Sequence, residues 1–283
     1  MSPAVVETSP APHRPAAPPW QVVTGSGKVE AAWEQLRWRE DEIPARALTL
    51  NLVCRAQDAN DAERLAGWAW ALGPGHPARV FVISPGDGTT TLRVAADPDG
   101  SELVEIACPP ERASSLAAPL LIGDLSTLLL WHCERPAGGS KFEGWSELAD
   151  RILVDSHRMR VNARELANLA TGLRAGCWLS DLTWTRLTPW RQLLCQGLES
   201  ESGAYRQIAS VSIMAGHGRS LPAGEGWRPE ASLAAILLVG WMSQQLGWQW
   251  ESVQSSCALT GARAGGKRVE VEFAPCPPQE RHG

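Results

Sequence analysis

The chain has 283 residues, a formal net charge of −5, 44% hydrophobic and 20% charged residues, the balance of an ordinary soluble protein with one large or two modest domains. The acidic balance argues against a nucleic-acid binder, which needs a basic stripe. No run of about 18 apolar residues occurs, so no membrane span is expected.

Residues 2–19 hold six prolines and no apolar stretch of signal-peptide type. This composition predicts a disordered tail over 1–28 and a protein that stays in the cytoplasm. Lys28 to Glu40 carries Val29, Ala32, Trp33 and Leu36 at helical spacing. "ARALTLNLVCRA" (45–56) alternates as a strand, and Asn60 is the expected N-cap of a helix from Asp61 to Leu72. Strands are expected at 79–84, 90–95 and 102–108, then a helix in "PPERASSLAAPLLIG". The continuous apolar runs "LSTLLLWHC" (125–133) and "ILVDS" (152–156) read as strands covered on both faces, with an amphipathic helix in "FEGWSELADR" between them.

A helix over 163–174 precedes a soft boundary near residue 175. Beyond it come a helix around 190–198, a strand at 208–214 and a long helix over 230–246. Its apolar centre, Leu233 to Met242, reads as a buried core helix. Two strands near 248–259 and 267–274, joined by "GARAGG", are expected to close the chain as a hairpin. The fold class is therefore α/β: a partly parallel sheet flanked by helices (29–175), followed by a smaller α+β C-terminal domain (176–283).

Catalytic signatures are missing. Neither GxGxxG, GxxxxGK[ST] nor GxSxG occurs. The seven cysteines (Cys54, Cys108, Cys133, Cys177, Cys195, Cys257, Cys276) form no CxxC pair, and reduced, mostly buried thiols are expected. The six histidines show no HxxxH or HxH spacing, so no metal is expected. "DSH" (155–157) holds the residue types of a hydrolase triad, but neighbours on a strand point to opposite faces. Asp155, Ser156 and Arg158, with Arg79, form a possible polar ligand site at a strand's carboxyl end; helix capping is the alternative. An enzyme binding a sugar phosphate or nucleotide would use this set.

"SDLTWTRLTPWRQLL" (180–194) is the densest stretch, with fourteen tryptophans in the chain and two of them here. Thr188 and Pro189 predict a helix start, and Trp190, Leu193, Leu194 and Leu198 share one apolar face. Asp181 with Ser180 can cap a short turn that carries Trp184. Two readings stand. Spacing favours both indoles in the core, with Arg186 and Arg191 facing solvent or pairing with Asp181; the other is an Arg/Trp binding surface.

The same residues resemble a family signature, roughly Asp-Leu-x-Trp-x-Arg-Leu-x-x-Trp-Arg, of the OpcA family, the glucose-6-phosphate dehydrogenase assembly proteins of cyanobacteria and actinobacteria. Asp181, Leu182, Trp184, Arg186, Leu187, Trp190 and Arg191 all fit it. "HPARV" (76–80), "APLLIGDLSTLLLWH" (118–132), "ILVDS" and "LLVGWMSQQLGW" (237–248) resemble further family blocks in the same order. Ser126 and His132 depart from the usual proline and tryptophan. The resemblance implies a non-catalytic protein without cofactor that binds glucose-6-phosphate dehydrogenase, promotes its active oligomer and raises its activity in the oxidative pentose phosphate pathway. In phototrophs the family is also linked to thiol-redox control, although the relevant thiols do not map onto this chain.

Overall fold

The computed structural model describes residues 17–37, 48–72, 76–96, 101–133, 144–159, 163–200, 208–215, 233–255, 258–262 and 268–275. Most of the tail, Cys257, Cys276 and residues 263–266 of "GARAGG" lie outside them. The chain divides into two compact units, Met1–Leu153 with Leu173–Leu179, and Val154–Gly172 with Ser180–Gly283.

An eight-stranded sheet runs in the order β1-β4-β5-β3-β2-β6-β7-β8. Its strands are β1 (Gln21–Val23), β2 (Asn51–Arg55), β3 (Arg79–Pro85), β4 (Thr91–Ala96), β5 (Glu102–Cys108), β6 (Thr127–Trp131), β7 (Arg151–Val154) and β8 (Trp178–Asp181). β5, β3, β2 and β6 pair in parallel, and β4 joins β5 and β1 antiparallel. Parallel strands flanked by helices lose alternation, and the first six residues of β3 are all buried. Helix α1 (Val29–Arg37) packs on β4, where Trp33 is fully enclosed and its indole N–H donates to the Leu103 carbonyl at 3.2 Å.

Helix α2 (Ala59–Leu72) connects β2 to β3 and lays Ala62, Leu65, Ala66 and Ala69 against Cys54, Val80 and Val82. Asp58, and not Asn60, caps it: its carboxylate accepts from the Asp61 N–H at 2.8 Å. Asn60 lies inside the first turn, one residue too late to reach that donor. Buried Asn51 was not singled out by pattern. Its amide donates to the carbonyls of Ile122 (2.9 Å) and Leu125 (3.2 Å) and accepts from the Ile122 N–H (3.1 Å), fastening that loop to β2. After β5, "PPERASSLAAPLLIG" forms only a short helix α3 (Ala113–Ala117) between 3₁₀ turns. Pro119 has no N–H to continue an α-helix.

The second unit contains α4 (Ala163–Thr171), α5 (Leu182–Arg186), α6 (Thr188–Ser200), β9 (Ser210–Ala215), α7 (Leu233–Leu246), β10 (Gln249–Ser255), β11 (Ala258–Ala262) and β12 (Arg268–Pro275). The expected two-stranded hairpin is a three-stranded antiparallel meander, because the first predicted run breaks into β10 and β11. β12 then pairs in parallel with β9, giving the order β10-β11-β12-β9. β12 alternates buried Val269 and Val271 with exposed Glu270 and Glu272, so this sheet has one wet face. Val239 and Met242 of α7, with Trp248, close its core against those valines, and Leu194 packs on the edge. Among the described residues no helix is long and apolar enough to cross a membrane.

Candidate functional site

The chain leaves β7 into a turn at 155–158, in which Arg158 and Met159 donate their backbone N–H groups to the Asp155 carbonyl at 3.0 Å. β8 ends at Asp181, whose extended backbone (φ −117°, ψ 125°) makes it the N-cap of α5. Its Oδ1 accepts from the Thr183 N–H at 2.9 Å. The same carboxylate takes the Ser156 N–H at 3.1 Å and the Ser156 hydroxyl at 2.6 Å. Buried Thr183 adds a third tie, its Oγ1 accepting from the His157 N–H at 3.0 Å.

One helical turn on, Arg186 reaches back. Its Nη1 and Nη2 donate to the two Asp155 carboxylate oxygens at 2.6 and 2.8 Å, a bidentate pair. The Asp155 side chain is 5% exposed and that of Arg186 is 54% exposed. Burial pushes the Asp155 carboxyl up, but the hydrogen bonds and charge of Arg186 outweigh it and hold the group below its ordinary value. The Arg186 guanidinium is raised in turn, chiefly by the same hydrogen bonds.

Pro189 has no N–H to offer the Thr185 carbonyl, and α5 and α6 part at Leu187. From there Leu187, Arg191, Leu194 and Leu198 recur at helical spacing on the covered side. Arg191 lies flat on the Trp184 ring, 3.5 Å from its centre, and its Nη2 donates to Thr188 Oγ1 at 2.9 Å. Nη1 of Arg191 is sealed from solvent without an acceptor among the described residues. On the other side of α6, Trp190 is 61% and Leu193 60% exposed. The apolar face expected from spacing is thus split: Leu194 and Leu198 turn inward, Trp190 and Leu193 outward.

Two candidate sets that the sequence kept apart therefore form one cluster. Asp155 and Ser156 of the polar set bind Arg186 and Asp181 of the signature. The signal for this was weak, since nothing in the spacing links a carboxylate at 155 to a guanidinium at 186. Arg158 is exposed. Arg79, in the first unit, is engaged with Glu102 (2.8 Å), Glu30 (2.7 Å) and the Leu120 carbonyl (2.9 Å), and stacks 4.5 Å above Trp33.

Among the described residues no group of three His, Cys, Asp or Glu side chains is placed to hold a metal ion. Among the described residues five cysteines are free thiols, Cys54 and Cys108 buried and Cys195 exposed. Burial pushes the Cys54 thiol up to about 12 and the Cys133 thiol up to about 11, each also raised by the Asp61 charge.

Residues 177–279, which contain the whole signature, match the family OpcA_G6PD_C, described as the C-terminal domain of a glucose-6-phosphate dehydrogenase subunit. A putative OxPP cycle protein OpcA of Nostoc punctiforme is 30% identical over 146 residues, 51% of this chain and 29% of that protein. The Synechocystis protein of the same description is 24% identical over 140 residues, 49% of this chain and 27% of that one. The matched region thus spans less than a third of either relative. Among solved structures, the WlbA (WbpB) dehydrogenase of Thermus thermophilus covers 80% of this chain and 73% of its own at a TM-score of 0.43 and 14% identity, a likeness too slight to carry chemistry across. Residues 177–279 thus match the OpcA_G6PD_C domain, and about half of the chain is similar to two proteins described as OpcA.

Proposed function

We propose that this protein is a non-catalytic partner of glucose-6-phosphate dehydrogenase that binds it in the cytoplasm, promotes its active oligomer and raises its activity. The observation that carries the reading is the match over residues 177–279 to a domain described as part of a glucose-6-phosphate dehydrogenase subunit. Of the polar residues that an enzyme reading would have used, Asp155 is held by Arg186 and Ser156 by Asp181.

Within the matched domain, the partner surface we assign is the outward side of α6, with Trp190 and Leu193 at its centre. A large exposed indole beside a leucine is the composition of a binding hot spot. Asp181, Trp184, Arg186 and Arg191, engaged with their neighbours within the unit, hold α5 and the start of α6 in place and act on the partner only through them. Activation follows if the protein binds the active conformation of the dehydrogenase more tightly than the inactive one. A coupling of about 1–3 kcal/mol corresponds to roughly 5- to 150-fold in substrate affinity.

Purified protein added to the cognate dehydrogenase should lower its apparent KM for glucose 6-phosphate and move its elution to larger size. Unchanged KM and elution under both reducing and oxidising conditions would overturn the proposal.

A further inference from the structure

The first unit holds a buried charge that the partner reading leaves unused. β2 connects through α2 to β3 on one side, whereas β6, later in the chain, pairs with β2 on the other. Strand addition therefore reverses between β2 and β6. In open α/β sheets the connections at such a point leave the strands' carboxyl ends in opposite directions and open a crevice where ligands bind.

Arg55 is the last residue of β2, at that edge, and only 7% exposed. Its Nη1 donates to the Ile83 carbonyl at 3.1 Å and the Ala56 carbonyl at 3.3 Å. No carboxylate pairs with it among the described residues, although buried charges are ordinarily paired. The nearby buried carboxylate, Asp61, is already shared by the Gln57 N–H, His132 Nδ1 and Arg64. Nε and Nη2 of Arg55 have no protein acceptor among the described residues and are not among the side-chain atoms sealed from solvent. These two N–H groups form the parallel fork with which a guanidinium grips a carboxylate or phosphate side-on.

A second cation lies at the same end of the parallel strands. Arg112 follows β5 and is exposed. Burial pushes the Cys108 thiol at the end of β5 up, and the charges of both Arg55 and Arg112 act on it in the opposite sense. Glu111 is the acidic group at this end of the strand.

We propose that the carboxyl end of β2, at this switch point, binds an oxyanion, the phosphate or carboxylate of a small metabolite, held by Arg55 Nε and Nη2, with Arg112 adding positive charge from the same end of the sheet. The site lies wholly in the first unit and does not depend on the dehydrogenase reading. The alternative role for Arg55 is to satisfy strand-end carbonyls and nothing more.

The test titrates the full chain with inorganic phosphate, with phenyl phosphate as a monoester, and with succinate, each at constant ionic strength in chloride. Calorimetry reads binding, and thermal denaturation reads fold. Saturable binding of at least one probe is expected, and which one separates free phosphate, phosphate ester and carboxylate. Arg55→Lys keeps the charge but loses the fork and should weaken binding about tenfold. The exposed Arg112→Ala should weaken it about threefold to fivefold at an unchanged melting temperature. No saturable binding of any probe to the wild type, or equal affinity in both variants, overturns the site. Lower stability in Arg55→Lys with no wild-type response assigns Arg55 to the carbonyls alone.

Discussion

The inward and outward sides of the signature use the same residue types for opposite ends. Inward, Trp184 lies beneath Arg191, and Arg186 is bound to a buried carboxylate. Outward, Trp190 and Leu193 stand about three-fifths exposed, each one position from a covered residue, Arg191 and Leu194. Neither tryptophan's identity nor arginine's predicts its role; its place on α5 or its angle around α6 does. The covered stripe Leu187, Arg191, Leu194, Leu198 sets that angle, and Pro189 sets where the helix begins.

The largest effect separating the two sides should come from Asp181→Ala. It removes the cap of α5 and leaves the Ser156 N–H and hydroxyl without their acceptor, a loss of about 2–3 kcal/mol in chemical denaturation. A change below about 0.5 kcal/mol would mean that the inward cluster does not hold the unit together.

Arg186→Ala comes next, at about 1–2 kcal/mol, discounted because half of the guanidinium is in solvent. Its pH dependence is more telling than its size. In the wild type the Asp155 carboxyl is lowered, so its stabilisation is complete above the ordinary carboxylate range and is lost as pH falls through the lowered value. Without Arg186 its hydrogen bond and charge no longer lower the carboxyl while burial remains, so the carboxyl moves up from its wild-type position. The stabilisation that the lowered carboxyl gave above the ordinary carboxylate range shrinks accordingly. The gap between the two proteins should narrow on acidification from about pH 6 to pH 3. A gap independent of pH would exclude the ion pair as its cause.

Thiol chemistry sharpens the same contrast. Cys195, exposed on α6, should be alkylated at neutral pH well before Cys54 and Cys133, whose thiols burial holds near 12 and 11. Peptide mapping after a timed iodoacetamide pulse reads the order, and early labelling of Cys54 would contradict the packing of β2. The smallest effect on stability belongs to Trp190→Ser with Leu193→Ser, within about 0.5 kcal/mol of the wild type, since exposed side chains give up little packing.

Much of the fold was legible because its signals are local. Continuous apolar runs marked β6 and β7, and the cap at Asp181 and helix start near Thr188 followed from residue chemistry. The split of the final run into β10 and β11 was not, since irregular pairing there has no pattern in the sequence. Nor was the cap of α2, where Asp58 and Asn60 are both good candidates and only geometry chooses. The candidate site was half legible: Asp155, Ser156, Asp181 and Arg186 were singled out, but as two separate groups, and buried Thr183 was not. Joining Asp155 to Arg186 and Ser156 to Asp181 needs tertiary proximity across 31 and 25 residues, which no periodicity encodes. Likewise, Trp190 and Leu194 share a helix face by count, yet one is exposed and the other packs on the core of the second unit.

The most direct test of this division is the affinity of the Trp190→Ser, Leu193→Ser variant for glucose-6-phosphate dehydrogenase, measured beside its denaturation midpoint. The account predicts binding weakened about tenfold or more, the size expected when a hot-spot aromatic is lost, at an unchanged midpoint. Full binding by that folded variant would contradict it.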